Sequence, residues 1–494
     1  MNFKKLPKFA VTALVGLCCV SMSACEQDNR TEVVFWHTMG QANQEKLNAM
    51  IEEFEKNNPD IKITHDAQGG YTDIESKLIK AIPAKTTPTM AFCYPDHVAN
   101  YIKSGSAVKL NDLVNDPEIG LTAAELQDYK DAGFWSEGSE SYGSSGDIYS
   151  VPFSKSTEVV FMNTTWMQEH NLTVDGTTTG NPIVPTKWEN TEDPTDLTAM
   201  FNLCAKIKEL NLADIAKVEA ENANLPEEQK KPVPAKITPL GYDSDDNMFI
   251  TLSAQYGIPY TSLKADGTGS IDFDNDQAKA LVTRLKGYYD NGLFVTKGTL
   301  PNQQYTSTKF KNEELIMSIG STGGTSYNIP AVDQETGESV FEVSVHRIPQ
   351  ANEAAPKVIS QGPSITFFKN SKISDEQIKA SWKFYKHITN TYNGAVYSIL
   401  TGYEPVRESS YESDEYKAHL AKLGTENETL YTKVATLTST DAIKSAYFFS
   451  PVFVGSSKAR QEVGDIITQV MLGKKDVDTA FTEAKTETIF ASVA

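Results

Sequence analysis

The sequence predicts an α/β fold built around a parallel sheet. Residues 33–36 form a short apolar run typical of a buried strand, and residues 61–64 alternate as a second strand would. Between them the apolar residues recur with helical spacing, at Leu47, Met50, Ile51 and Phe54. Pro59 ends this helix, because proline cannot continue it. A strand, a helix and a second strand in this order form a crossover unit whose strands run parallel.

The carboxyl ends of these strands are the predicted place for a ligand, since open parallel sheets bind ligands there. Trp36 and His37 stand at the end of the first strand, and Asp96 follows a strand predicted over residues 90–94. The alternative interpretation assigns Trp36 to the core and His37 to a surface turn.

Two later segments are interpreted as crossovers between lobes, residues 147–153 and residues 359–370. Residues 158–163 are expected to form a buried strand. Residues 211–239 are charged and rich in proline, which indicates a surface insertion. With 494 residues the chain has room for roughly two or three domains.

The N-terminus has the pattern of an export signal. Lys4, Lys5 and Lys8 precede an apolar run at residues 9–22 that is too short to span a membrane. The following Met-Ser-Ala-Cys sequence, ending at Cys25, resembles a bacterial lipobox. We therefore expect a lipoprotein signal peptide at residues 1–24, lipidation of Cys25 and a polar tether at residues 25–30. The protein would then be exported and lipid-anchored in the cell envelope; a simple secretory signal is the alternative.

Charge and cysteine usage narrow the choice of partners. The formal net charge is −20, and removing the three N-terminal lysines gives −20 − 3 = −23. Nucleic acid is therefore not an expected partner, because phosphate binding requires a basic face.

Beyond Cys25 the chain carries Cys93 and Cys204, both expected as small buried apolar residues. A disulfide between them is the alternative in an exported protein.

Common catalytic and metal-binding motifs are absent, namely the HExxH zinc helix, the GxSxG elbow, the Walker A loop and the GxGxxG turn. Asp272, Asp274 and Asp276 suggest calcium, but Gln277 and Thr283 stand where the calcium loop requires Gly and Glu. We expect no enzymatic activity, no cofactor and no metal. A glycoside hydrolase remains an alternative, because carboxylates are abundant.

Several segments suit a small polar ligand instead. Residues 320–324 are rich in glycine and can present backbone N–H groups. Arg460 follows a serine pair at a predicted helix start, which favours an anion; a serine cap with a solvated arginine is the alternative. Aromatic faces for a sugar would come from Tyr71, Trp36, Tyr403 and Tyr242.

Taken in order, these segments resemble the family 1 extracellular solute-binding proteins of ABC importers, in their glycerol-3-phosphate- and sugar-binding branch. After the lipobox-like Cys25, the resemblance is carried by VVFWHTMGQANQEKLNAMIEEFEKNNPDIKI, GGYTDIESKLIKAI, DIYSVPFSKSTEVVFMN, SIGSTGG, ISQGPSITFF, TGYEPVRESSY and FVGSSKARQEVGDIITQVMLGKKDVDTAF. It covers most of the chain after residue 31.

The resemblance implies a type II periplasmic-binding-protein fold, with two α/β lobes, a hinge and a ligand cleft between them. The first lobe would comprise residues 31–150 and 361–447, and the second residues 151–360 and 448–494. Carried over by motif, the residues facing the cleft would be Tyr71, Asp96, Ser154, Ser156, Ser321, Thr322, Gly362, Tyr403 and Arg460, with Trp36 and His37 beside them.

One departure bears on the ligand. Where the branch places a tryptophan pair, residues 241–247 of this chain hold Tyr242 and several acidic residues. Carboxylates suit sugar hydroxyls and repel phosphate, whereas Arg460 favours phosphate. We therefore expect the ligand to be a sugar or oligosaccharide, or a phosphorylated polyol such as glycerol-3-phosphate, with a slight preference for sugar.

The function implied is that of a monomeric substrate-binding lipoprotein. It would close on its ligand by a hinge motion and deliver the ligand to the transmembrane subunits of an ABC permease. Two alternatives are a secreted carbohydrate-processing enzyme and a sensor subunit that presents the ligand to a receptor.

Overall fold

A computed structural model describes residues 28–139, 142 and 146–493 of the chain. The predicted signal peptide at residues 1–24, the lipidation site Cys25 and half of the tether lie outside the described residues. None of the described helices combines the length and the apolar character that crossing a membrane requires.

The elements of the first half of the chain, in order, are β1 (Thr31–His37), α1 (Gln41–Asn57), β2 (Ile61–Ala67), α2 (Tyr71–Ala84), β3 (Met90–Cys93), α3 (Pro95–Lys103), α4 (Asn111–Val114), α5 (Ala123–Asp131), α6 (Ser136–Ser139), β4 (Val151–Pro152), β5 (Glu158–Asn163), α7 (Thr164–Glu169), α8 (Met200–Asn222), β6 (Thr238–Tyr242) and α9 (Asp245–Tyr256).

Those of the second half are β7 (Thr261–Leu263), β8 (Gly269–Ile271), α10 (Asp276–Asp290), β9 (Phe294–Thr296), α11 (Thr306–Lys311), β10 (Leu315–Ser321), β11 (Val343–Arg347), β12 (Val358–Ile359), β13 (Ser364–Phe367), α12 (Asp375–Ile388), α13 (Thr391–Thr401), α14 (Glu408–Tyr411), α15 (Asp414–Leu420), α16 (Leu430–Thr438), α17 (Asp441–Lys444), β14 (Tyr447–Phe448), α18 (Ser456–Met471) and α19 (Val477–Val493).

The predicted β-α-β unit at the start of the chain is confirmed. β1 and β2 pair in parallel, with Thr31 opposite Ile61 and His37 opposite Ala67. α1 connects them and buries Leu47, Met50, Ile51 and Phe54. The helix ends at Asn57, two residues before Pro59, so the apolar spacing and the proline together determine this unit.

Two five-stranded mixed sheets form the centres of two lobes. The first has the order β2-β1-β3-β13-β4 and the second the order β11-β5-β10-β6-β9. In the first sheet β13 runs antiparallel to β3 and β4, and in the second β5 runs antiparallel to β10 and β11. Each sheet has its own apolar core, built around Phe35 and Trp382 in the first lobe and around Met162 and Phe249 in the second.

The lobe boundaries expected from the sequence remain a proposal. The pairing of one strand in the structure differs from them. β4, placed in the second lobe by the boundary at residue 150, pairs with β13 in the first sheet. The chain therefore leaves the first sheet after Pro152 and enters the second at Glu158.

Both cysteines, Cys93 and Cys204, are buried and free, as the sequence predicts.

The segments that cross between the lobes are joined to one another. Ser156 forms a β-bridge with Gln361, Lys155 forms one with Glu404, and β12 pairs in parallel with β14. The Lys155 Nζ atom donates to Glu137 Oε2 at 2.5 Å and to the Gly362 carbonyl at 3.2 Å. The hydroxyl of Ser360 donates to the other oxygen of Glu137. This hinge network is buried, with Lys155 fully inaccessible to solvent and Glu137 3% exposed.

We expect Lys155→Met to lower the free energy of unfolding by about 3–5 kcal/mol, because it leaves the Glu137 carboxylate buried without its cation. The measurement is urea-induced unfolding. Lys206→Met is the control, since Lys206 pairs with Glu209 on the exposed surface and should change stability by about 1 kcal/mol or less. Similar small effects of the two substitutions would contradict the structural importance of the hinge pair.

Candidate functional site

A cavity of about 980 Å³ lies between the two lobes, at the carboxyl ends of strands from both sheets. The first lobe lines it with the segments that follow β1 and β3 and with the start of α2. The second lobe contributes the segments after β6 and β10 and one side chain of α18. The position agrees with the rule that ligands of open sheets bind beyond the carboxyl ends of the strands.

Seven of the residues proposed from the sequence line this cavity, namely Tyr71, Asp96, Ser156, Ser321, Gly362, Tyr403 and Arg460. They come from both lobes and from the crossing segments, and the fold brings them to one place. Gly362 has φ +97°, and a Cβ atom there would lie 2.5 Å from the Ser154 carbonyl, so this crossing requires glycine.

His37 does not face the cavity, which corrects the prediction made for it. It is fully buried, because it shares the core face of β1 with Val33 and Phe35. Its Nδ1 accepts from the backbone N–H of Met39, which leaves Nε2 to donate to His65 Nδ1 at 2.9 Å. Burial lowers the pKa of His37 to about 4, so the ring is neutral and has a structural role.

Trp36 also lies away from the cavity. Successive side chains of a strand point to opposite faces, so Trp36 is directed away from the face that holds Phe35 and His37. There it lines a separate surface groove with residues 85–89 and Gln377.

The remaining three predicted residues are close to the cavity but buried beneath its wall. Tyr242 has no exposed surface, and its hydroxyl donates to Glu158 Oε2 at 2.7 Å. Thr322 is also fully buried, and its hydroxyl oxygen accepts from the Thr157 N–H at 3.4 Å. Ser154 is 2% exposed within the crossing segment. Burial therefore removes all three from contact with a ligand.

Arg460 occupies the centre of an ion-pair cluster that spans the lobes. Its Nε donates to Asp96 Oδ2 of the first lobe at 3.0 Å. Its Nη1 donates to Asp246 Oδ2 at 3.2 Å and to Asn247 Oδ1 at 2.7 Å, both in the second lobe. These carboxylates raise the pKa of Arg460 further above its usual range despite burial. Among the described residues, Nη2 has no hydrogen-bond partner and is left for a ligand.

The serine pair before Arg460 is not available for an anion. The Ser457 hydroxyl donates to Glu75 Oε2 at 2.9 Å, across the gap between the lobes. The Ser456 hydroxyl donates to the Phe453 carbonyl at 2.8 Å. The alternative of a serine cap is also wrong, since α18 is capped by Gly455 without a side-chain hydrogen bond.

Tyrosine rings supply part of the apolar surface of the cavity. Tyr71 stacks on Tyr94 with ring centroids 4.0 Å apart, and Tyr403 stacks on Tyr397 at 6.2 Å. Tyr305 and Tyr327 line the cavity with 55% and 62% of their surface exposed, so their rings are open to solvent. Large, flat and partly exposed rings of this kind can stack on a ligand.

The charges that line the cavity are mostly negative. Six carboxylates line it, Asp73, Asp96, Glu137, Glu158, Asp243 and Asp246, against three cations, Lys155, Lys297 and Arg460. Lys155 is neutralised by Glu137 and Arg460 by two aspartates. The arrangement therefore favours ligand hydroxyl groups and disfavours an added anion.

Glu158 forms part of the floor of the cavity. It is 2% exposed and accepts from the hydroxyls of Tyr242 and Thr251 at 2.7 and 3.1 Å. Burial raises its pKa to about 7, against a value of 4.5 for a free glutamate. Burial also raises the pKa of Asp243, which accepts from the N–H of Thr306 at 2.8 Å.

Several residues that line the cavity are not among those predicted from the sequence. Tyr94 directly follows β3 and precedes Asp96, so its position at a strand end was a usable signal. Asp246 and Asn247 lie in the acidic segment already noted after β6. Tyr305, Tyr327 and Tyr397 belong to segments without such a pattern, and only folding brings them to the cavity.

A cleft with this lining, between two α/β lobes joined by crossing segments, defines a two-lobed binding protein. Residues 49–423 match the family described as bacterial extracellular solute-binding protein. The chain belongs to this family, as the resemblance seen in the sequence implied.

Individual relatives support the same conclusion. The sn-glycerol-3-phosphate-binding periplasmic protein UgpB of Escherichia coli K12 is 22% identical over 392 residues, which cover 77% of this chain and 76% of the relative. The crystal structure of UgpB from Mycobacterium tuberculosis in complex with glycerophosphocholine matches with a TM-score of 0.66 at 17% identity, covering 93% of this chain and 98% of that one. The GacH receptor of Streptomyces glaucescens, solved unliganded and with acarbose, matches with a TM-score of 0.66 at 16% identity, covering 94% and 99%. These similarities confirm the predicted type II periplasmic-binding-protein fold.

We compare the free energy of unfolding of Glu158→Gln with that of the unsubstituted protein. The difference, variant minus unsubstituted, should increase from pH 5 to pH 8. A carboxyl group with a raised pKa contributes most stability below its unfolded pKa, and that contribution is lost as the pH rises towards 7. Glutamine does not titrate, so the difference should grow by about 3 kcal/mol. Urea unfolding at both pH values measures it, with the exposed Glu209→Gln as control. A difference independent of pH would show that Glu158 is ionised throughout this range.

Proposed function

We propose that this protein is the substrate-binding subunit of an ABC importer and that it captures a neutral sugar or oligosaccharide. The observation that carries the proposal is the pairing of Arg460 with both Asp96 and Asp246 inside a cleft lined by tyrosines. The guanidinium charge is cancelled, while its Nη2 atom stays available for a neutral hydroxyl acceptor.

The shape and chemistry of the cleft support a sugar. A cavity of about 980 Å³ is large enough for several sugar rings, being at the upper end of the usual range for small-molecule sites. Tyr71 and Tyr403 can stack on the apolar face of a sugar ring. The carboxylates of Asp243 and Asp246 can accept its hydroxyl protons as charge-assisted hydrogen bonds.

A phosphorylated polyol is the second candidate. UgpB of Escherichia coli is named for binding sn-glycerol-3-phosphate, and UgpB of Mycobacterium tuberculosis was crystallised with glycerophosphocholine. Within the described part of the chain, Lys297 lines the cavity without a carboxylate within 4.0 Å, and its Nζ lies 4.0 Å from the ring centroid of Tyr305. A single such cation does not outweigh the surplus of carboxylates.

The mechanism we infer is capture by closure. Ligand would bind to one lobe in an open state, and contacts to the other lobe would favour the closed state. The hinge network of Lys155, Glu137, Ser360 and Gly362 would set the axis of this motion. The loaded monomer would then dock on the permease and release its ligand unchanged. A lipid on Cys25 would hold it at the membrane within the cell envelope.

We expect thermal melting to reveal a stabilising ligand in a panel of neutral oligosaccharides, with a gain of about 2.7 kcal/mol at a hundred times the dissociation constant. Tyr71→Ala should weaken that binding at least about tenfold, or about 1.4 kcal/mol, because it removes a stacking face. Tyr392→Ala is the control, since Tyr392 is exposed and lies outside the cavity.

Stabilisation by sn-glycerol-3-phosphate alone would favour the second candidate, and hydrolysis of a bound oligosaccharide would favour an enzyme. Binding without any dependence of uptake on the protein would favour a sensor subunit.

We expect the full-length protein to incorporate labelled palmitate in a bacterial host, and Cys25→Ala to abolish the incorporation. Cys25 is the residue that the lipobox places at the mature N-terminus. Cys93→Ala is the matched control, because Cys93 is a free thiol buried in the first lobe. A soluble, unlabelled protein with Cys25 intact would instead support a simple secretory signal.

A further inference from the structure

The contacts of Arg460 divide between the lobes in a way that bears on specificity. Asp96 reaches the Nε atom from the first lobe, and Asp246 reaches the Nη1 atom from the second. Asn247 accepts a further hydrogen bond from Nη1. The side chains of Arg460, Asp96 and Asp246 are 23%, 12% and 31% exposed, so the cluster is only partly open to solvent.

The charge of this cluster is opposite to that of an anion-binding arginine. One guanidinium and two carboxylates sum to one negative charge. Asp246 is held in place by the hydroxyl of Ser244, and Asp96 lies in the first turn of α3. An incoming phosphate at Nη2 would meet both carboxylates within a few ångströms, where screening by solvent is weak. A neutral hydroxyl would meet the same donor without that repulsion.

We propose that Asp96 and Asp246 are specificity-determining residues that exclude phosphorylated ligands by neutralising Arg460. The proposal rests on the proposed function, because it concerns the same cleft. The two carboxylates would be the feature by which this chain discriminates a neutral ligand from a phosphorylated one. Removing either carboxylate changes the charge of the cluster from one negative charge to zero and so lessens the repulsion of a phosphate, and removing both leaves the guanidinium positive.

The test compares the binding of sn-glycerol-3-phosphate and of inorganic phosphate to the unsubstituted protein, Asp246→Asn, Asp96→Asn and the double variant, by isothermal titration calorimetry. Asparagine keeps a similar size and a carbonyl acceptor for Arg460, so the folded cluster is retained. We expect at least tenfold tighter binding of sn-glycerol-3-phosphate for each single variant and a larger gain for the double variant. The gain should shrink as salt is raised and should disappear when Arg460→Gln is added.

Asp243→Asn is the matched control, because it removes a carboxylate from the same cavity without touching Arg460. It should tighten phosphate binding threefold at most. An equal gain for Asp243→Asn, or a gain that survives Arg460→Gln, would overturn the role of the cluster. The role of the cluster would also be overturned if neither the single variants nor the double variant bound sn-glycerol-3-phosphate more tightly than the unsubstituted protein.

Failure of this inference is distinguishable from failure of the proposed function. The unsubstituted protein is titrated in parallel with a neutral probe, maltotriose, and with the oligosaccharide panel. If the protein binds a neutral oligosaccharide but the variants bind phosphate no more tightly, the inference is overturned and the proposed function stands. Tight binding of sn-glycerol-3-phosphate by the unsubstituted protein overturns both.

Discussion

The buried ion pair between Lys155 and Glu137 is the interaction on which the arrangement of the two lobes depends. It joins two of the segments that cross between the sheets, because Lys155 also binds the Gly362 carbonyl and Glu137 also accepts from Ser360. Two charges without solvent are costly unless their polar atoms are paired, and here each of the two groups has two hydrogen-bond partners. Glu137, Lys155, Ser360 and Gly362 also line the cleft, so this network forms part of its wall.

The cleft itself combines two opposed requirements. It holds a charged residue, Arg460, that reaches across the gap, and the function we propose requires it to accept a ligand rich in hydroxyl groups. Pairing with Asp96 and Asp246 meets both, since it cancels the charge and leaves one donor free. The stacked pair of Tyr71 and Tyr94 adds a flat apolar surface beside these polar groups. The ion pairs and the stacked rings together form one binding surface from two lobes.

Much of this organisation was predictable from the sequence, because it depends on local patterns. The apolar spacing of α1 and the proline after it determined the first unit, and seven of the twelve proposed site residues line the cavity. The errors have one physical origin. A residue at the end of a strand can point to either face or be covered by a neighbouring segment, and this decided the burial of His37 and Tyr242. For Arg460 the sequence showed the cation but not the carboxylates that pair with it.

The sequence by itself determined the α/β class, the first crossover unit and the membership of a solute-binding family, because periodicity and ordered motifs are properties of neighbouring residues. Only the tertiary structure decided which side chains share the cleft and what charge the cleft carries. Asp96 and Arg460 are 364 residues apart in the chain, and their ion pair exists because two separate sheets face each other across the hinge. Pairing over such a separation is a property of the packed lobes, and no local pattern encodes it.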